Sequence, residues 1–168
     1  ADFIIVENLE SFPVQGFYRK GKSIEEKDIE NLELSTEDVP NHFHLNDISM
    51  DEFEQLMPDW KIKRSGNWNI IQVIDQQLLT HKKVITFEGS IEELLQEHSE
   101  YSVLLVINRY QKKVEIQACV VENFGDIEGA LGSSVMHDCH NLILVGREPV
   151  LIHKALSTLI ENKGGLVA

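Results

Sequence analysis

Residues Glu128 to Gly146 read E-G-A-L-G-S-S-V-M-H-D-C-H-N-L-I-L-V-G, and their interpretation decides the fold. The apolar run Leu142–Val145, closed by Gly146, predicts a buried strand. The small residues before Ser133 and Ser134 predict a tightly packed helix or turn. Between them stands a polar group, His137, Asp138, His140 and Asn141. Polar side chains at the entrance of a buried strand need partners or a task, because burying them unpaired is costly. If the group is helical, His137 and His140 share a face with Asp138 turned aside, which suits a shared metal. If it is extended, they point to opposite sides. Cys139 would be an activated thiol only beside a cation or a helix N-terminus.

Downstream, Glu148-Pro149 opens the best helical pattern of the chain. Ile152, Ala155, Leu156, Leu159 and Ile160 form its buried stripe, His153 lies off it in solvent, and Gly164-Gly165 ends it. The final G-G-L-V-A starts a further apolar strand. Upstream, Tyr101–Tyr110 and Val114–Val121 predict a hairpin turned at Gln111-Lys112-Lys113. Val103–Ile107 is continuously apolar, as in a strand covered on both faces. Trp68–Ile74 and Leu78–Phe87 predict two more strands, Trp60–Arg64 another, and Ser65-Gly66-Asn67 a turn. Ser90 with Glu93 forms a capping box, and Ser49 opens a short helix ended by Pro58. His98 falls at the end of the Ser90 helix. At the front, residues 2–6 predict a strand, Val14–Arg19 another and Lys20-Gly21-Lys22 a turn, whereas 24–40 predict an acidic surface connection. The fold class is therefore α+β: a mixed or antiparallel sheet layered with helices, preceded by a small β fragment.

The chain has 168 residues with a formal charge of −13. That balance argues against a nucleic-acid backbone or an anionic membrane surface as partner. No apolar run approaches the roughly 20 residues needed to span a bilayer, and no signal peptide is visible. Cys119 and Cys139, the two cysteines, are too few for a disulfide framework and predict reduced thiols in a cytoplasmic protein. Walker-type loops, dinucleotide fingerprints, Cys-x-x-Cys pairs and nucleophile elbows are absent from the sequence.

The run S-S-x-x-H-D-x-H-N-apolar-V-G, followed by a helix and G-G-L-V, resembles the C-terminal region of adenine deaminases of the amidohydrolase superfamily. N-I-I-Q-V-I-D-Q-Q-L-L-T at 69–80 and V-L-L-V-I-N-R-Y at 103–110 are similar to ordered motifs of the same family. The chain departs from the family at Asn108 and Tyr110, where members usually carry Glu and His. The resemblance implies three parts: residues 1–35 as closing strands of the small β-domain, 36–58 as a connection with a short helix, and 59–168 as a C-terminal α+β domain cut at its end. Both termini begin or stop in strand-like sequence, and the expectation is a fragment without the catalytic barrel.

For function, the resemblance implies a parent that hydrolyses adenine to hypoxanthine and ammonia with a divalent metal (Mn, Fe or Zn). In such a reaction a metal-bound hydroxide attacks C6. The implied substrate is a small purine and the implied assembly a homo-oligomer. No cofactor and no catalytic residue is expected on this fragment. Carried over position by position, the family motif covers Ser133, Ser134, His137, Asp138, His140 and Asn141. These residues either face the active site or pin a tight junction. His42 and His44, a His-x-His pair behind Pro40, are weak metal candidates, since alternate residues of a strand project to one side. A self-sufficient metal hydrolase would have to combine them with His137 and His140. A module for ligand binding or oligomerisation, without activity on adenine, is the alternative that Asn108 and Tyr110 favour.

Overall fold

Short alternating segments and glycine turns build the first strands. In the computed structural model, which describes residues 2–30, 40–57, 60–125 and 127–168, the chain forms two compact units, Ala1–Pro40 and Asn41–Ala168. The first holds an antiparallel sheet of β1 (Phe3–Val6), β2 (Val14–Arg19) and β3 (Lys22–Ile24). Lys20 and Gly21 join β2 to β3 with φ of 49° and 74°. Positive φ at both residues of a two-residue loop is the type I′ pattern, whose twist matches that of the flanking strands. Phe3, Ile4, Ile5 and Phe17 remain 44–47% exposed, so this sheet is apolar on both faces. A short helix, α1 (Glu26–Glu30), follows. The predicted acidic connection therefore includes a helical turn, and its residues 31–39 lie outside the described residues.

The larger unit contains α2 (Met50–Leu56), β4 (Arg64–Val73), β5 (Thr80–Gly89), α3 (Ile91–Glu97), β6 (Tyr101–Ile107), β7 (Ile116–Glu122), β8 (Ala130–Ser133), β9 (Leu142–Gly146), α4 (Pro149–Glu161) and β10 (Leu166–Val167). Its strands form one sheet in the order β10-β8-β9-β6-β7-β4-β5. Neighbours are antiparallel except β4 and β7. Because β8 lies antiparallel to both β9 and β10, the unit β9-α4-β10 is a crossover with one strand inserted in its middle.

One face of this sheet is closed by helices. Ile70, Val103, Leu105, Ile107, Val120, Leu142 and Leu144 point into a core shared with Phe53 of α2, Leu94 of α3 and Leu156 of α4. The buried stripe of α4 is as predicted at Ile152, Ala155, Leu156 and Leu159, with Ile160 half-buried. On the other face Leu104 and Val106 are half-buried, so β6 is covered fully on one side only. Both predicted capping boxes are present: Ser49 with Glu52, and Ser90 with Glu93. Each satisfies two backbone N–H groups that the first turn leaves open.

Four further local readings change. Of the small residues before Ser134, expected as a tightly packed helix or turn, Ala130–Ser133 is instead strand β8, held between β9 and β10. Ser65-Gly66-Asn67 is not a turn but lies inside β4, where Gly66 pairs with Phe87 and takes φ 131°. The predicted strand from Trp60 begins only at Arg64. His153 is not free in solvent: its Nε2 lies 2.7 Å from the Ile48 carbonyl and its ring 5.3 Å from that of Phe53.

Candidate functional site

One end of the large sheet collects the residues singled out above. It is the end where β6 and β8 finish and β7 and β9 begin. Residues 134–141 connect β8 to β9 there as a tight loop, neither helix nor strand. The amide of His140 donates to the Met136 carbonyl at 2.7 Å and that of Cys139 to the His137 carbonyl at 3.0 Å. Asp138 and His140 take φ of 70° and 52°, left-handed values that are uncommon outside glycine.

The two serines do the pinning. Ser133 Oγ accepts the amide of Val135 at 3.0 Å. Buried Ser134 accepts the Gly165 amide on Oγ at 2.9 Å, while its own amide donates to the Gly165 carbonyl at 3.0 Å. Ser134 therefore ties the exit of β8 to the entrance of β10. His137 and Asp138 do not share this burial. Their side chains are 96% and 89% exposed, with Nδ1 and Oδ1 3.0 Å apart. A histidine and a carboxylate so paired in solvent can present an oriented ring to something docking from outside. They are no part of the domain's packing.

Tyr110 braces the loop from β6, donating its hydroxyl to the Cys139 carbonyl at 3.0 Å. Its amide donates to Asn108 Oδ1 at 2.9 Å, so Asn108 and Tyr110 both serve local structure. The segment containing His42 and His44 reaches the same end. It is not a strand. The His44 amide donates to the Arg109 carbonyl at 2.8 Å, and the Arg109 guanidinium lies over the rings of Phe43 and Tyr110. The rings of His42 and His44 are 6.2 Å apart and tilted. Among the described residues no three His, Cys, Asp or Glu side chains converge to hold a metal ion. Two buried polar atoms here lack a hydrogen-bond partner, Asn141 Oδ1 and Arg109 Nε.

Cysteine chemistry finds no support at Cys119. Burial raises the Cys119 thiol above its ordinary value, and its Sγ donates to the Leu104 carbonyl; a protonated thiol is a poor nucleophile. Cys139 is exposed within the loop.

Residues 77–168 match the family described as the adenine deaminase C-terminal domain. The chain belongs to that family. Over 175 residues it is 33% identical to an adenine deaminase of Borreliella burgdorferi, a match covering all of this chain and 30% of that protein. An adenine deaminase of a Sulfurovum species is 34% identical over 169 residues, with all of this chain and 29% of that protein covered. One from Methanothermobacter thermautotrophicus is 31% identical over 176 residues, covering 31% of its length. The chain thus spans about 30% of the curated relatives it matches. The larger unit places two residues that the motif left out. Arg147 gathers the carbonyls of Leu95, His98, Ser99 and Tyr101, closing the end of α3. Asn41 donates to the Lys163 carbonyl at 3.0 Å behind α4. Their only signal in sequence is a polar residue beside an element end.

Proposed function

We propose that this chain is the C-terminal part of a metal-dependent adenine deaminase, which hydrolyses adenine to hypoxanthine and ammonia. The observation that carries this reading is the match of the whole chain to proteins named adenine deaminase. In this reading the divalent ion, Mn, Fe or Zn, takes its ligands from the part of the protein outside this chain. The division proposed is closing strands of a small β-domain in 1–35, a connection in 36–58 and the C-terminal domain from 59. The parent is a cytoplasmic homo-oligomer acting on a small purine.

Within it, the sheet end bearing His137, Asp138, His140 and Asn141 closes the active site or forms an oligomer contact. Support comes from the exposed His137–Asp138 pair on a loop held from below by Ser134 and Tyr110. Rigid support under exposed polar groups is the arrangement a docking or closing surface needs.

Ammonia release from adenine tests this. The longer protein is expected to turn over with its metal, and residues 1–168 alone are not. His137→Ala or His140→Ala in the longer protein should lower kcat/KM about 10-fold or more with an unchanged melting temperature. A longer protein with its metal bound that leaves adenine untouched would select the second reading, a ligand-binding or oligomerisation module. Asn108 and Tyr110, spent on local hydrogen bonds, favour that alternative.

A further inference from the structure

The large sheet is incomplete at one place. β4 runs for 10 residues and pairs with β5 along its whole length. On its other side it meets β7 only at Ile70, Ile71 and Gln72. Below that point the strands part, and Ile116–Cys119 of β7 pair with β6 alone. Between them opens a cavity of about 440 Å³ bordered by Asn67, Trp68, Asn69, Ile91, Ala118 and Cys119. Every second residue of a strand turns its N–H and C=O to the same side. Both walls therefore present backbone donors and acceptors that no described strand of the larger unit pairs.

The side chains grade the gap by face. Trp68, Ile91 and Ala118 lie on the helix side, where Trp68 and Ile91 join the core. Asn67, Asn69 and Cys119 lie on the other, since their neighbours Trp68, Ile70 and Val120 face the core. A ligand matching two parallel strand edges and this alternation is itself a strand. The shorter wall, Ile116–Cys119, sets its length at four residues, about 13 Å at the strand rise.

We propose that an extended segment of the longer polypeptide, about four residues with alternating apolar and polar side chains, inserts between β4 and β7 and completes the sheet. The source is the same protein because the relatives are roughly three times as long as this chain, and a tethered strand competes at high effective concentration. The inference rests on the proposed parentage only for the existence of that further chain. Deaminase activity is not needed for it.

Amide hydrogen exchange compares the longer protein with residues 1–168. The amides of 65–69 and 116–119 that are not bonded to β5 or β6 should exchange roughly 100-fold slower in the longer protein. Equal rates in the two overturn the proposal. Protection that appears in residues 1–168 and grows with protein concentration would name a second copy as the occupant and overturn it as well. Ala118→Glu in the longer protein places a charge on the apolar side and should abolish the protection, with the amides of β8 and β9 unchanged. Protection that survives this substitution refutes insertion at the gap. Neither measurement reads ammonia, so failure here is distinct from failure of the deaminase reading.

Discussion

Ser134 shows how a motif residue can be structural. Its hydroxyl is the acceptor for the Gly165 amide, and a Cβ at Gly164 would lie 2.7 Å from that oxygen. Ser134→Ala leaves the Gly165 amide unpaired in a half-buried place. It should cost about 1–2 kcal/mol, read as a lower urea midpoint, and release β10 first in hydrogen exchange. The two capping glutamates give a second residue-scale test. Glu93 is held below the ordinary carboxylate range chiefly by the Lys63 ammonium and next by the Ser90 amide. Glu52 is lowered by the backbone and side chain of Ser49. Folded values below the unfolded one mean stability that is present above the ordinary value of 4.5 and lost as pH falls through the folded values. Glu93→Gln should therefore show a flatter loss of stability than the native chain between about pH 5 and about pH 3, measured by urea unfolding. A histidine, by contrast, could be misjudged from its helical position: His153 is off the stripe of α4 yet anchors the carbonyl of Ile48.

Among the elements, local signals and tertiary pairing diverged in instructive places. The β6–β7 hairpin, the capped helices and α4 were legible because each carries its own periodicity and its own start or stop residues. β8 was not legible. Four residues, Ala-Leu-Gly-Ser, have no strand signal, and they are extended because β9 and β10 flank them. β4 hides behind a turn-like Ser-Gly-Asn for the same reason: ten paired residues of β5 override three local preferences. Of the candidate site, the exposed loop was legible as a polar cluster, whereas its supports, the Tyr110 hydroxyl on the Cys139 carbonyl and the bonds of Ser134 to Gly165, are contacts across the fold that no spacing encodes. The small residues of β8 have a packing reason. A Cβ on Gly132 would come within 2.8 Å of Val167, 3.0 Å of Leu159 and 3.4 Å of Leu144. Gly132→Val should destabilise the domain by about 1–3 kcal/mol through this overpacking, seen as a lower melting temperature. The same substitution at Gly129, which has open space around it, should change little.

At the scale of the molecule, the two units divide at Pro40. The core residues named for the larger unit all lie between Leu45 and Leu159. Residues 41–168 should therefore fold alone, with a main thermal transition within a few degrees of that of the 168-residue chain; calorimetry decides it. Loss of a cooperative transition in that shortened chain would show that the first unit contributes to the core. Lys83 and buried Glu122, joined by Gln72, add a polar clamp where β4, β5 and β7 meet. The ammonium of Lys83 is held above its ordinary value mainly by Glu122.

The parallel pair of β4 and β7 also sets an order of events on the ribosome. Ile70 must wait for Val120, and at roughly 5–20 residues per second that interval lasts about 3–10 s. The β4–β5 hairpin, whose turn is local, has all its residues available long before then. For those seconds it is an unaccompanied ribbon with one apolar side wet, and a chaperone or nascent-chain neighbour would meet it in that condition.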